Sequence, residues 1–319
     1  MKALVTGGAG FIGSHLVEAL LAGGHHVLAY DDLSSGSLGR LAACRGQARF
    51  RFVRGDVLDR GDLVAALGGC DTVFHLAANP DVRAGLRDTA LDLRQEAQAT
   101  HRVLEAMRRQ DVRRIVLASS STVYGAAATV VAEDYGPLLP VSLYGAGKLA
   151  AEGFTAAFCH LFGRQGWIFR FANVVGPRMT HGVIFDLAGK LERQPGELLV
   201  LGDGRQSKPY VHVTDCVDAM LFALERSADT VNLFNLGCDS TVDVATIAQV
   251  VIRAAGLDPA EVAVRYTGGR EGWPGDVPTV RLNTTRLRAL GWEARMTSYR
   301  AVERAAAELV AERRRAARP

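Results

Sequence analysis

The chain has 319 residues, 48% hydrophobic and 22% charged, with 34 glycines and 10 prolines. That length suggests two domains, or one large domain with an appendage, and an apolar content this high with a net charge of only +3 excludes disorder over most of it. With 37 Lys+Arg against 34 Asp+Glu there is no basic excess to suggest a nucleic-acid partner. The run Arg313-Arg314-Arg315 reads as a solvated helix end. No apolar stretch approaches the roughly 18 residues that span a bilayer. Ala3-Leu4-Val5 opens into glycines rather than into a signal peptide, so no leader and no membrane association are expected. Cys44, Cys70, Cys159, Cys216 and Cys238 are odd in number and scattered, which argues against a disulfide framework or a cysteine-based zinc site and fits a reducing cytoplasm.

The first predicted strand, Ala3–Val5, runs straight into Thr6-Gly7-Gly8-Ala9-Gly10-Phe11-Ile12-Gly13. A helix with Ile12, Leu16 and Leu20 on one face follows. Glycines at 7 and 10 allow a tight turn and close approach to a pyrophosphate, and one at 13 lets the helix pack on the strand with its N-terminus toward the phosphates. A glycine triplet alone is weak, but strand, glycines, helix and next strand fall within one short unit, the context dinucleotide binding requires. The second strand, Val27–Tyr30, ends in Asp31-Asp32. A carboxylate there accepts from ribose hydroxyls and repels a 2′-phosphate, favouring NAD over NADP; Asp31 is assigned this role and Asp32 is read as a solvated loop residue. The strand at Phe52–Val53 leads to Asp56, placed to read an adenine edge or simply to turn the chain.

Further strands are predicted at Val73–Leu76, Ile115–Ala118 and Ile168–Phe169, with a helix carrying Val103, Leu104 and Met107 among them. Short apolar strands separated by helices imply βαβ units and a parallel sheet, a doubly wound α/β fold over residues 1–173. His75, at a strand end, reads as a satisfied core histidine, and His181 and His212 lack ligand spacing, so no metal centre is expected. Ser119-Ser120-Ser121 follows a strand at the carboxyl edge of the sheet, where ligands bind in such folds. Tyr144-Gly-Ala-Gly-Lys148 places a phenol and an ammonium on one helix face. A phenol with a pKa near 10 becomes a base at neutral pH only if a cation stabilises its phenolate. Beyond Asn173 the pattern loosens, with glycine and proline at Gly176-Pro177, Gly202–Gly204 and Gly268–Gly275, and helices at Val244–Ala255 and Tyr299–Arg313. Residues 174–319 are read as a smaller α/β lobe with functional loops, part of about 211–238 returning to the first domain. Trp273 and Trp292 are read as packing within it.

TGGAGFIGSH, HLAANPDVR from His75, SSSTVYG from Ser119, YGAGK and RFANVVGPR from Arg170 resemble the extended short-chain dehydrogenase/reductase family. More narrowly they are similar to its NAD-dependent sugar-nucleotide epimerases of the UDP-glucose (UDP-galactose) 4-epimerase type, and the likeness continues through LGDGRQSKPYVHVTD and GREGWPGDVP. The resemblance implies a Rossmann domain with a small substrate domain, tightly bound NAD, a UDP-sugar substrate and a homodimer formed through Rossmann helices. It implies that Tyr144 takes the 4-hydroxyl proton with Lys148 as partner, and that Ser120 is the catalytic hydroxyl with Ser121 beside it. The implied cofactor contacts are Gly7, Gly10, Phe11, Ile12, Gly13, Asp31, Asp56, Val57, Ala77, Ala78, Tyr144 and Lys148. Those to substrate are Ser120, Ser121, Asn173, Lys208, Tyr210, Arg270 and Asp276.

Dehydratase and decarboxylase branches usually carry an acidic residue or pair after the catalytic hydroxyl; here Ser121 and Thr122 follow, which favours epimerisation. A family asparagine that helps hold NAD aligns with Glu96, a carboxylate that pyrophosphate would repel, so either Glu96 points away or the local alignment slips. A diphosphate-binding arginine aligns with Lys208, which keeps the charge without the bidentate fork. Val280 falls where some members carry a tyrosine that limits the C2 substituent, so 2-acetamido sugars are expected to fit; Arg83 or Arg178 would be the receptors if the substrate were a uronate.

Overall fold

A computed structural model describes residues 1–316, and the chain divides into two compact units. The first comprises Met1–Val123, Leu138–Arg170 and Met220–Phe234; the second comprises Tyr124–Pro137, Phe171–Ala219 and Asn235 onward. Residues 124–137 thus lie with the second unit and 220–234 with the first.

The first unit is built on a seven-stranded sheet. Its strands are β1 (Lys2–Thr6), β2 (His26–Asp31), β3 (Phe50–Arg54), β4 (Thr72–His75), β5 (Arg114–Ser120), β6 (Gln165–Phe171) and β7 (Val231–Leu236). Their spatial order is β7-β6-β5-β4-β1-β2-β3, with β1 parallel to β2 and β4, β2 parallel to β3, and β4 parallel to β5. This order reverses direction between β1 and β4, the point at which a doubly wound sheet opens a ligand crevice at its carboxyl edge. The helices are α1 (Phe11–Ala22), α2 (Arg60–Ala66), α3 (Ala99–Arg109) and α4 (Leu143–Phe162). Leu4, Val73 and Ile115 from the strands pack with Leu63, Val103, Leu104 and Met107 from α2 and α3, all of them buried. This explains the near-continuous apolar strands, which are covered rather than half-solvated. The Ser142 hydroxyl accepts from the Gly145 amide at 3.1 Å, which fixes where α4 begins, and Gly163 in the left-handed region ends it.

The second unit holds three short two-stranded pairings. Asn173–Val175 pairs with Tyr210–His212, Ser207–Lys208 with Val242–Asp243, and Glu197–Val200 with Ala263–Tyr266. Helices Val183–Arg193, Val244–Ala254 and Ser298–Ala316 bury Ile184, Leu187, Ile247, Val251, Val302 and Leu309 against these. Among the described residues no helix is long and apolar enough to cross a membrane.

Candidate active site

The loop from β1 to α1 is tight because neighbouring backbone leaves no room for side chains. Gly7 has φ +67°, and a Cβ on it would lie 2.8 Å from the Ala77 amide nitrogen just beyond β4; a Cβ on Gly13 would overlap the Gly7 carbonyl oxygen. Gly10 starts α1 without a side-chain cap, so the first-turn amides of the helix, with Phe11 and Ile12 half-buried there, are left for an anion. Asp31, buried at the end of β2, accepts from the Ala9 amide at 3.0 Å and the Leu33 amide at 2.8 Å, and each oxygen keeps a lone pair for a hydroxyl. Burial raises its carboxyl above the usual range, opposed by those two hydrogen bonds. Asp32 is exposed and accepts from the Ser34 amide and hydroxyl. Asp56 is exposed and caps the Leu58 amide, Val57 is buried, and Ala77 and Ala78 are half-buried after β4. An uncapped helix start, a cradle that admits no Cβ and an oriented carboxylate at the second strand end fit a dinucleotide with a free ribose 2′-hydroxyl.

Successive residues of a strand face opposite ways, and the end of β5 uses this alternation. Ser119 is buried and donates to Glu152, which in turn binds Arg170 through Nη2 at 2.8 Å and Nε at 3.0 Å. Ser120 points the other way; its hydroxyl accepts from the Thr122 amide at 3.2 Å and the Thr122 hydroxyl at 2.9 Å, and it is near enough to Tyr144 to favour the phenolate slightly. Ser121 begins a short 3-10 turn, Ser121–Tyr124, and is half-buried. One turn along α4 from Tyr144, the Lys148 ammonium lies 5.5 Å from the phenol ring centroid and donates to the Ala118 carbonyl at 3.0 Å. Burial raises the Tyr144 phenol, Lys148 opposes this, and Glu96 and Asp92 add to it. Burial alone would lower the Lys148 ammonium, but Glu96, Tyr144 and Asp92 together outweigh it and hold it above the ordinary lysine range.

Glu96 is the residue whose place the sequence left open. It lies in a π-helical segment, Leu93–Gln98, that continues into α3, and it forms a 2.7 Å ion pair with Lys148, both side chains buried. Its other oxygen accepts the Asn79 amide at 2.9 Å, and the Asn79 side chain donates to Asp92 at 2.8 Å. Glycine at 147 is what lets this segment approach α4: a Cβ there would lie 2.8 Å from the Glu96 Cβ. The carboxylate is therefore turned to the active-site lysine. The only signal for this in the sequence is a carboxylate in a place that an anion would disfavour.

In the second unit Lys208, Tyr210 and Asp276 come together. Lys208 pairs with Asp276 and sits 5.2 Å over the Trp273 ring, and Asp276 also accepts from the Gly272 amide at 3.1 Å. Tyr210 is buried, and burial with Asp276 nearby raises its phenol. Asn173, in register with Tyr210, is exposed and donates to the Pro209 carbonyl at 3.2 Å, while Arg270 is exposed on its glycine-rich loop. Trp273 thus carries a cation on its face, whereas Trp292 is buried and donates to Asp218. Arg83 is exposed and paired with Asp81, the Arg178 amide donates to Glu312, and Val280 is half-buried. His75 is enclosed between the Thr6 and Thr100 hydroxyls at 2.8 and 3.1 Å. No cluster of potential metal ligands occurs among the described residues.

Residues 3–237 match the model of the NAD dependent epimerase/dehydratase family. The chain belongs to that family. Its cofactor is NAD, in keeping with the cradle and carboxylate described above. The chain is 35% identical to the UDP-glucose 4-epimerase of Mycolicibacterium smegmatis over 92% of its own length and 93% of the relative's. A crystal structure of a UDP-galactose 4-epimerase superposes with a TM-score of 0.86 at 38% identity, covering 98% of this chain and 99% of that one. The UDP-glucuronic acid 4-epimerase of Bacillus cereus, solved with UDP-glucuronic acid and NAD, gives a TM-score of 0.88 at 27% identity over 98% of this chain and 99% of that one.

Proposed function

We propose that this chain is an NAD-dependent UDP-hexose 4-epimerase that interconverts UDP-glucose and UDP-galactose and accepts their N-acetylhexosamine forms. The observation that carries the reading is the grouping of Ser120, Tyr144 and Lys148, with Ser121 and Thr122 following Ser120, a proton-transfer group with no acid after the serine for elimination at C5 and C6. NAD supplies the acceptor for the hydride leaving C4 and the donor for its return. Tyr144, as phenolate, takes the 4-hydroxyl proton, leaving a 4-keto sugar, and gives the same proton back when the carbonyl is reduced from the opposite face. Ser120 hydrogen-bonds the reacting oxygen, and Lys148 steadies the phenolate. Gly7, Gly10 and Gly13 are assigned to the pyrophosphate, and Asp31 and Asp56 to the adenosine. Lys208, Tyr210, Arg270, Asp276 and Asn173 are assigned to the nucleotide diphosphate, Asp276 suiting ribose hydroxyls better than phosphate.

A uronate substrate has less behind it, since Arg83 is already engaged by Asp81. A non-catalytic dinucleotide sensor would have no need of Ser120, Tyr144 and Lys148 together. We read the chain as a homodimer, supported by Phe154, Leu161 and Phe162, which stand 43%, 75% and 42% exposed on α4. The functional reading is tested by incubating purified protein with UDP-galactose and no added cofactor, then separating the sugar nucleotides. Appearance of UDP-glucose is expected; a requirement for stoichiometric NAD would indicate an ordinary dehydrogenase instead.

A further inference from the structure

We propose that Glu96 is a positioning residue for the proton-transfer group, clamping the Lys148 ammonium and masking its charge at Tyr144. The inference rests on the reading of Tyr144 as the base. Lys148 has three N–H donors. One goes to the Ala118 carbonyl at 3.0 Å and one to Glu96 at 2.7 Å, so a single donor remains for any bound hydroxyl. Glu96 is itself fixed by the Asn79 amide, and its side chain is 2% exposed, so water does little to screen the pair. A carboxylate this close to the ammonium offsets part of the field that would otherwise favour a phenolate on the same helix face.

The surroundings leave few competing groups. Asp92, immediately before the π segment, joins Glu96 there, and one Asp92 oxygen is buried without a partner among the described residues. From β4, His75 is neutral down to about pH 3 because of burial, reinforced by Lys148, and so adds no charge in the working range. From β5 comes the uncharged Ser120, and from α4 come Tyr144 and Lys148 themselves. Beyond Asp92, Asp81 is paired with Arg83 and Arg87, and Asp88 with Arg94. Glu96 is thus the carboxylate bonded to the lysine, and the sign of its effect follows. With its charge in place the phenolate forms at higher pH; with the charge removed it forms at lower pH.

The test compares the parent with Glu96→Gln and with the charge-retaining Glu96→Asp. The readouts are tyrosinate absorbance during a pH titration, with Tyr144→Phe as the blank, and the acid limb of kcat/KM on a UDP-hexose. Both midpoints should fall by about one pH unit in Glu96→Gln, at the low end of what an unmasked opposite charge several ångströms from a phenol does, and stay near the parent in Glu96→Asp. Glu96→Met, of similar length and uncharged, carries the same expectation if the glutamine variant does not fold. Midpoints that stay put or rise in a folded neutral variant would overturn the proposal. So would loss of the fold in both neutral variants while Glu96→Asp folds normally, since Glu96 would then be structural. The absorbance titration needs no sugar. A shifted midpoint in a protein that inverts no UDP-hexose would leave the clamp standing and defeat the functional reading instead.

Discussion

Removing the Tyr144 hydroxyl should lower turnover by about 10²–10⁴-fold, the usual contribution of a placed acid–base group, while the protein retains its dinucleotide. Kinetics on Tyr144→Phe, with the nucleotide released on denaturation, separate the two, because the phenol serves proton transfer and the glycine cradle serves binding. His75 makes the opposite kind of contribution. Its imidazole ionises near 6.5 in an unfolded chain but only at about 3 in the fold, where burial and then Lys148 oppose the charge. Between those values the unfolded state takes up the proton first, so the stability His75 contributes is complete above about pH 6.5 and is lost as pH falls toward 3. Urea unfolding at a series of pH values should show a shallower acid decline for His75→Asn than for the parent. A histidine between two threonines in a strand core is legible in sequence as a satisfied residue; which threonines, 69 and 25 positions away, is not.

At the level of elements, α4 carries the reacting pair and is fastened one turn further on. Glu152 accepts from Ser119 of β5 and from Arg170 of β6, all three buried. Arg170→Met would leave the Glu152 carboxylate buried without its cation, at a cost of about 3–5 kcal/mol. The double variant Arg170→Met/Glu152→Met should recover more than half of that, as guanidinium unfolding of the three proteins can determine. The helix itself was readable, since the spacing of Tyr144 and Lys148 puts them on one face; its start, capped by Ser142, is fixed in the structure. The π-helical segment was not. Leu93–Gln98 looks like the first turn of an amphipathic helix, and one extra residue in the backbone ladder leaves no trace in hydrophobic period. Asp92, just before that segment, and Glu96 within it are both buried, where solvated charges would be the ordinary expectation for such residues.

For the whole molecule, the near-zero charge balance meant that anionic ligands would depend on a few placed cations, chiefly Lys148, Lys208 and Arg270. Two of these are already matched, Lys148 by Glu96 and Lys208 by Asp276, so the sites are close to neutral pairs rather than free cations. The lysine positions follow from motif spacing, whereas their partners lie 52 and 68 residues away, a separation set by sheet order and loop path that no local pattern encodes. The exposed apolar residues of α4 bear on assembly. Sedimentation of the parent should give a dimer, and Phe154→Glu/Leu161→Glu, placing charge on that face, should give a folded monomer. A monomeric parent would contradict the dimer reading.

The central claim is inversion at C4 by a protein that regenerates its own NAD. Purified protein, with no cofactor added, incubated with UDP-glucose, UDP-N-acetylglucosamine and UDP-glucuronate while the C4 proton is followed by NMR, tests it most directly. Inversion of UDP-glucose is expected, and of the N-acetyl sugar past the small side chain of Val280. No C4 inversion in any of the three, or a 4-keto-6-deoxy sugar or carbon dioxide as product, would contradict it.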